Sequence, residues 1–297
     1  MTAVLDIRGL HLAIGGRHRP TPILRGVDLT IGVGEVHGLV GESGAGKSMV
    51  GRALLGILPG AAVIEEGRID FLGRDMIRLS ERERRRLLGR EISLIPQDPM
   101  TALNPVRRIG AQVADVLRLH LGLNDRAAWT RVVELLDEVH IREPERVARR
   151  YPHELSGGMR QRVLIATAFA CEPKLIVADE PTTALDVTVQ RQILRLIREM
   201  QANHGTAILF ITHDLGVVAK ICGTISVIHG GRILEHGSTE AIFKRPTHPY
   251  TSALFAATPR YDRPGDQLRP VPATLLAELA REARALDEGR RPGAAGR

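Results

Sequence analysis

The segment Gly41-Glu-Ser-Gly-Ala-Gly-Lys-Ser48 has the spacing of a phosphate-binding loop, G-x-x-x-x-G-K-S, with an apolar strand pattern before it and a helical pattern after it. Glycines let backbone N–H groups wrap closely around a triphosphate at a helix N-terminus. Lys47 would set a point charge against the β- and γ-phosphates, and the Ser48 hydroxyl is a hard-oxygen ligand for Mg2+. The candidate nucleotide contacts are therefore Gly41, Glu42, Ser43, Gly44, Ala45, Gly46, Lys47, Ser48 and Met49. A second segment, Leu175-Ile-Val-Ala-Asp179-Glu180, is an apolar run ending in two adjacent carboxylates. Strand alternation would send these two side chains in different directions. That suits a division of labour, with Asp179 holding Mg2+ through its water shell and Glu180 activating the attacking water. An ordinary glycine-rich turn would account for the loop alone, and a helix cap ahead of Pro181 for the acid pair alone. Both in one chain are what triphosphate hydrolysis needs.

The elements that must position these groups are legible as periodicity. Strand-like runs at 5–12, 27–31 and 35–40 precede the loop, and a helix over 47–58 follows it, stopped by Pro59-Gly60. Runs at 67–72 and 91–95 are again strand-like, with a charged helix between them from about Ser80. Over 106–120 and 125–140 apolar residues recur at helical spacing, among them Ile109, Val113 and Leu117, then Trp129, Val132 and Leu136. This marks an inserted helical subdomain over 98–156. Beyond it come helix 157–170, strand 174–178, helix 187–202, strand 206–211, helix 214–221 and strand 224–229. Such alternation with helix-sized spacers requires a parallel sheet covered by helices. From Gly237 the pattern weakens, and 289–297 reads as a frayed, disordered tail.

Composition narrows the classes. A hydrophobic fraction of 43% is enough to bury a core, which excludes wholesale disorder. No apolar run approaches the ~20 residues of a membrane span, and no basic-then-apolar leader opens the chain. The net charge of +7 is carried mostly by arginine, as in Arg82-Glu-Arg-Arg-Arg86, but Glu81 and Glu83 are interleaved there. With aromatics at 3% and none spaced to stack on bases, this reads as a solvated helix face rather than a nucleic-acid surface. Cys171 and Cys222 lie far apart in apolar helical contexts, and buried reduced thiols are expected rather than a disulfide.

Further segments, taken in order with the first two, resemble the ATP-binding subunits of ABC transporters. Leu155-Ser-Gly-Gly-Met-Arg-Gln-Arg162 is similar to the family signature, in which a serine and glycine amides at a helix N-terminus form a second anion-binding surface. Gln97, in Ile95-Pro-Gln-Asp-Pro-Met100, resembles the glutamine loop, and His213, after a strand, the switch histidine. Thr183-Ala-Leu-Asp186 stands between them in the family order, and the likeness spans 4–258. It implies an α/β fold, the P-loop NTPase nucleotide-binding domain of ABC type, with a parallel-sheet core, an antiparallel β-subdomain and an inserted helical subdomain. The implied division is a nucleotide-binding domain at 1–236 (core 1–97 and 157–236, helical subdomain 98–156) and a C-terminal extension at 237–297.

The resemblance also implies that two such subunits sandwich two ATP molecules head to tail. Lys47, Ser48, Gln97, Asp179, Glu180 and His213 would form one face of a site, with Ser48, Gln97 and Asp179 toward Mg2+. Ser156, Gly157 and Gly158 of the opposite subunit would close it, Asp186 would lie at the seam, and His213 would hold the water and Glu180 in line. Where an adenine-stacking aromatic is expected, Gly9-Leu-His-Leu-Ala-Ile-Gly15 places Ile14; His18 in the following loop is the alternative.

Four segments narrow the likeness to the dipeptide/oligopeptide/nickel importer group: 97–105, 151–156, 212–218 and Arg245-Pro-Thr-His-Pro-Tyr-Thr251. The group implies import of short peptides or a related small solute. It implies as partners a second ABC ATPase subunit in a heterodimer, two integral-membrane permease subunits docking near 97–105, and an extracytoplasmic solute-binding protein. The implied place is the cytoplasmic face of the bacterial inner membrane. Some members carry a cysteine cluster for an iron–sulfur centre after the C-terminal segment; no cysteine follows Cys222, so no such cluster is expected. A soluble ABC protein that drives no transport, or a nucleotide-dependent signalling switch, would leave the C-terminal segment or the signature without a role.

Overall fold

The computed structural model describes residues 3–15, 20–183, 185–258 and 269–290. In chain order the elements are β1 (Ala3–Ile14), β2 (Thr21–Gly32), β3 (Val36–Val40), α1 (Lys47–Leu55), β4 (Ala62–Phe71), β5 (Arg74–Asp75), α2 (Glu81–Leu87) and β6 (Ile92–Ile95). Then follow α3 (Pro99–Ala102), α4 (Ile109–Leu121), α5 (Asp125–Glu138), α6 (Pro144–Ala148), α7 (Gly157–Phe169), β7 (Leu175–Asp179), α8 (Val187–His204) and β8 (Ala207–Thr212). The chain continues through α9 (Leu215–Ile221), β9 (Thr224–His229), β10 (Arg232–Ser238), α10 (Thr239–Lys244), α11 (Pro249–Ala256) and α12 (Ala273–Gly289). No helix among the described residues is long and apolar enough to cross a membrane.

Two compact units result. The first is built on Leu79–Phe210 with Gly32–Glu35. In it β6 and β7 run parallel, with Ile92 opposite Leu175 and Ile95 opposite Ala178, and β8 lies beside β7. Residues Leu175 to Ala178 are all buried, as expected of a parallel strand covered on both faces. The predicted apolar stripes find partners: Ile109, Val113 and Leu117 of α4 are buried, as are Val132, Leu135 and Leu136 of α5, and the two helices pack together. A Cβ at Gly110 would stand 2.9 Å from both Ala148 and the Trp129 ring, so this glycine sets how closely α4 approaches α5 and α6. In α2 a capping box joins Ser80 and Glu83, and Arg85 pairs with Glu81. Arg82, Arg85 and Arg86 are exposed and line an open cavity of about 860 Å3 that contains none of the residues singled out for chemistry.

The second unit comprises Leu5–Ile31, Val36–Arg78 and the chain from Ile211 onward. One sheet has the order β2-β1-β4-β5, with β1 and β4 antiparallel. In the other grouping β3 pairs parallel with β9, and β9 antiparallel with β10. β2 begins at Thr21, not 27, and contains Pro22 and Gly26. Those residues hide a strand from a propensity reading, but an edge strand tolerates the missing N–H. Conversely α1 ends at Leu55, because Gly56 turns left-handed (φ 65°) and caps it, where the sequence pattern had run to 58. His37 is fully buried in β3; its Nε2 lies 2.9 Å from Ser226 Oγ and its Nδ1 3.0 Å from Thr224 Oγ1, which offsets the cost of burying an imidazole.

Among the described residues the extension contains three helices, although periodicity weakens there. Along α12 Leu279 is buried, and Leu275, Leu276 and Ala283 on the same face are half-buried. Charges hold it: Arg25 donates to both Asp287 oxygens at 2.8 and 3.0 Å and to Gly230 O at 2.7 Å, Arg232 pairs with Glu282 at 3.2 Å, and Arg290 with Glu66 at 2.9 Å. The expected tail at 289–297 is corrected at its start, where Gly289 ends α12 and Arg290 caps it, because the helix continues that far; 291–297 lie outside the described residues. Because the Arg25 fork is the half-buried contact of the three, Asp287→Asn should loosen α12 by about 1 kcal/mol. Hydrogen exchange should then quicken across Ala273–Gly289 and stay unchanged in β1 and β4; unaltered exchange in α12 would show that the fork does not hold it.

Candidate functional site

The candidate phosphate loop is built by strand register. Val40 stands opposite Val227 in the parallel β3–β9 pair, so Gly41 falls beside Ile228. A Cβ at position 41 would lie 2.1 Å from Ile228 O, and only glycine fits. Gly46, at φ 104°, is the N-cap of α1, and its Cβ would meet Leu24 at 2.9 Å. Gly44 is also left-handed (φ 83°), but a Cβ there would meet nothing within 4 Å among the described residues: its backbone, not its surroundings, demands glycine. Ala45 N donates to Glu42 O at 3.2 Å, and Gly231 N to Ala45 O at 3.0 Å, which ties the loop to the β9–β10 turn. Lys47 is buried, with Nζ donating to Gly41 O and Glu42 O at 2.9 Å each. Ser43 is exposed, whereas Ser48 and Met49 sit half-buried in the first turn of α1.

In the same unit His213 follows β8 directly and is exposed. Its place is set by Asp214, which caps α9 through Val217 N and donates its own N–H to Thr212 Oγ1 at 3.0 Å. Ile14 ends β1, half-buried and paired with Ala62. His18 lies outside the described residues.

The first unit brings Gln97 and Glu180 together. Each stands two residues beyond the aligned pair Ile95 and Ala178, and Gln97 Nε2 donates to Glu180 Oε2 at 3.2 Å. Thr183 Oγ1 donates to the same oxygen at 2.9 Å. One expectation is corrected here. β7 stops at Asp179, and Glu180 is left-handed at φ 47°, so a chain reversal rather than strand alternation parts the two carboxylates. A non-glycine residue pays roughly 1–2 kcal/mol for that conformation, and here the turn from Thr183 N to Glu180 O at 3.3 Å sustains it. Such strain at the end of a buried strand is typical of a pre-organised side chain.

Ser156 is the N-cap of α7, its Oγ accepting from Met159 N at 3.3 Å, and both Ser156 and Gly157 are exposed. The two glycines differ. A Cβ at Gly158 would crowd Val189 at 2.9 Å, so packing of α7 on α8 requires it; a Cβ at Gly157 would meet nothing. Asp186 has a local task, its carboxylate capping α8 by accepting from Thr188 N at 3.0 Å and Val189 N at 2.9 Å. Cys171 and Cys222 are free and buried, and burial pushes their thiols up to about 11 and about 12, which leaves them unreactive. Sequence spacing gave no sign that His229 and Tyr250 lie against Glu42 of the loop.

Residues 24–183 match the family model described as ABC transporter, and residues 234–283 that described as oligopeptide/dipeptide transporter, C-terminal region. The chain is 46% identical over 273 residues to the probable D,D-dipeptide transport ATP-binding protein of Escherichia coli (strain K12), covering 92% of this chain and 83% of that protein. It is 44% identical over 272 residues to the oligopeptide transport ATP-binding protein of Haemophilus influenzae, covering 92% and 84%. Among solved structures, cbiO1 of Clostridium perfringens, part of the ABC transporter complex cbiONQ, aligns with a TM-score of 0.70 at 28% identity over 82% of this chain and 92% of that one. A dimeric ATP-binding cassette in a post-hydrolysis state, bound to ADP and phosphate, aligns with a TM-score of 0.70 over 79% and 98%; at 24% identity it speaks for the fold. By the match of 24–183 to the family model and by relatives 44–46% identical over more than four-fifths of their own length, the chain belongs to the ABC transporter family of ATP-binding subunits.

Proposed function

We propose that this subunit binds MgATP and hydrolyses it to drive import of short peptides, or a related small solute, through two permease subunits at the cytoplasmic face of the bacterial inner membrane. A second ABC ATPase subunit, forming a heterodimer with it, and an extracytoplasmic solute-binding protein complete the proposed complex. The observation that carries this reading is the match of 234–283 to the C-terminal region of oligopeptide/dipeptide transporters. Relatives named for D,D-dipeptide and oligopeptide transport support peptide as the solute. In the family's division, the nucleotide-binding domain takes 1–236, with its helical subdomain at 98–156, and the extension 237–297.

The candidate metal ligands are a hydroxyl (Ser48), an amide oxygen (Gln97) and a carboxylate (Asp179), a hard-oxygen set that fits Mg2+. When bound, Mg2+ supplies charge neutralisation at the transferring phosphoryl group. Gln97 Nε2 is engaged by Glu180, which leaves Gln97 Oε1 as its ligand atom. Lys47 holds the β- and γ-phosphates, and Glu180, oriented through Oε2 by Gln97 and Thr183, takes the proton of the attacking water. His213 keeps that water in line. Ser156, Gly157 and Gly158 of the opposite subunit close over the γ-phosphate, with Asp186 at the seam.

Proteoliposomes containing the assembled complex test the function. ATP inside the vesicle orientation that faces this subunit should drive uptake of labelled peptide in the presence of the solute-binding protein, and Lys47→Ala should abolish it. Purification of the subunit from its host without any integral-membrane partner would reject a transport role.

Ile14 carries a separate expectation. Base stacking on an aromatic is worth about 1–3 kcal/mol, and isoleucine offers dispersion without a flat π-surface. The isolated subunit should therefore separate ATP from GTP by no more than about tenfold, and Ile14→Tyr should tighten ATP a few-fold. Unchanged equilibrium affinity in Ile14→Tyr would remove position 14 from the base site.

A further inference from the structure

Glu42, the second residue of the phosphate loop, is approached by two side chains for which the hydrolysis described above has no use. Tyr250, near the start of α11, is fully buried, and its hydroxyl lies beside Glu42 yet makes no hydrogen bond among the described residues. His229, the last residue of β9, packs its ring 4.4 Å from that of Tyr250, centroid to centroid, and its Nδ1 stands 3.7 Å from Glu42 Oε2. His229 Nδ1 is likewise buried with no hydrogen-bond partner among the described residues.

These groups are fixed from behind. Glu235 of β10 accepts from Thr247 N, Thr247 Oγ1 and His248 N at 2.8, 2.9 and 3.1 Å, and His248 Nδ1 accepts from Tyr250 N at 3.0 Å. Glu42 is tethered at its main chain, whose carbonyl receives Lys47 Nζ and Ala45 N. Its side chain is therefore the part left to move. Burial and then the Glu42 charge hold the Tyr250 phenol well above its usual range, so it is a donor at neutral pH. Burial lowers the His229 imidazole, which stays neutral.

A buried polar group with no partner costs free energy, and here the His229 nitrogen stands 3.7 Å from a carboxylate oxygen of Glu42, with the Tyr250 hydroxyl beside the same side chain. A small adjustment of the loop satisfies both. We propose that nucleotide binding draws Glu42 into hydrogen bonds with Tyr250 and His229, so that Tyr250 is a positioning residue through which the C-terminal extension sets the affinity of the phosphate loop. This rests on the loop at 41–48 being the ATP site. It also gives the Arg245-to-Thr251 segment a task within this chain.

Tyr250→Phe keeps the ring and removes the hydroxyl. Since a hydrogen bond to a charged group is lost only from the bound state, ATP affinity of the full chain should fall about tenfold. The melting temperature of the ligand-free protein should stay the same or rise, because an unsatisfied buried hydroxyl has gone. In a Glu42→Ala background, where the acceptor is already gone, Tyr250→Phe should add nothing. A lower ligand-free melting temperature together with weaker binding would make Tyr250 a packing residue and overturn the proposal. So would wild-type ATP affinity in Tyr250→Phe when Lys47→Ala has lost it. If Lys47→Ala binds ATP normally, the loop assignment itself is wrong, and the inference goes with it.

Discussion

Glu180→Gln should lower ATP turnover by at least roughly 10²–10⁴-fold while MgATP remains bound. The substitution keeps the length and planarity of the side chain. Gln97 Nε2 and Thr183 Oγ1 both donate to Glu180 Oε2, and the glutamine carbonyl oxygen accepts from the same two donors. The left-handed backbone at 180 stays as it is. What disappears is the negative charge and with it the capacity to take a proton from water, so geometry and chemistry separate cleanly in this variant. The measurement is steady-state phosphate release by the assembled complex with a hydrolytically dead partner subunit, beside equilibrium ATP binding. Near-normal hydrolysis would remove Glu180 from the role of base.

Ser156→Arg is the second large effect, and its signature is a split between binding and turnover. The isolated chain should bind ATP as wild type does, since the loop at 41–48 is untouched. The assembled ATPase should lose about 10²-fold or more, because a bulky side chain displaces the closing surface from the γ-phosphate by more than catalysis tolerates. Two features of the fold support this. Ser156 and Gly157 are exposed, and a Cβ added at Gly157 would meet nothing within 4 Å among the described residues. The Ser156 cap, at 3.3 Å, is a modest contributor to α7, so its loss costs about 1 kcal/mol and does not threaten folding. Ser156→Ala controls for that loss, removing the cap without adding bulk. If Ser156→Arg abolishes ATP binding by the isolated chain, Ser156 serves its own site and the assignment to the opposite subunit fails.

Residues 41–48 are legible in the sequence because their geometry is local. The glycine at 46 and the start of α1 lie within a few residues of one another, so the conformation is written in adjacent side chains. The stripes of α4 and α5 are legible for a similar reason, since a helix repeats its buried face every three or four residues. The juxtaposition of Gln97 with Glu180 needed more. Both stand at strand ends in the sequence, but only the register that sets Ile95 against Ala178 decides that they touch. The left-handed turn at Glu180 has no local signal, because a non-glycine residue takes that conformation only when the surrounding turn outweighs its steric cost. Where α12 docks was not legible, because Arg25, Arg232 and Arg290 tie it to segments distant along the chain. The loop motif, the acid pair, the order of motifs and the family likeness were thus readable beforehand, all being properties of short spacings. Which of Gly157 and Gly158 packing requires, and that His229 lies against Glu42 and Tyr250, emerged from the folded chain, because such contacts join segments whose separation along the chain carries no periodicity to read.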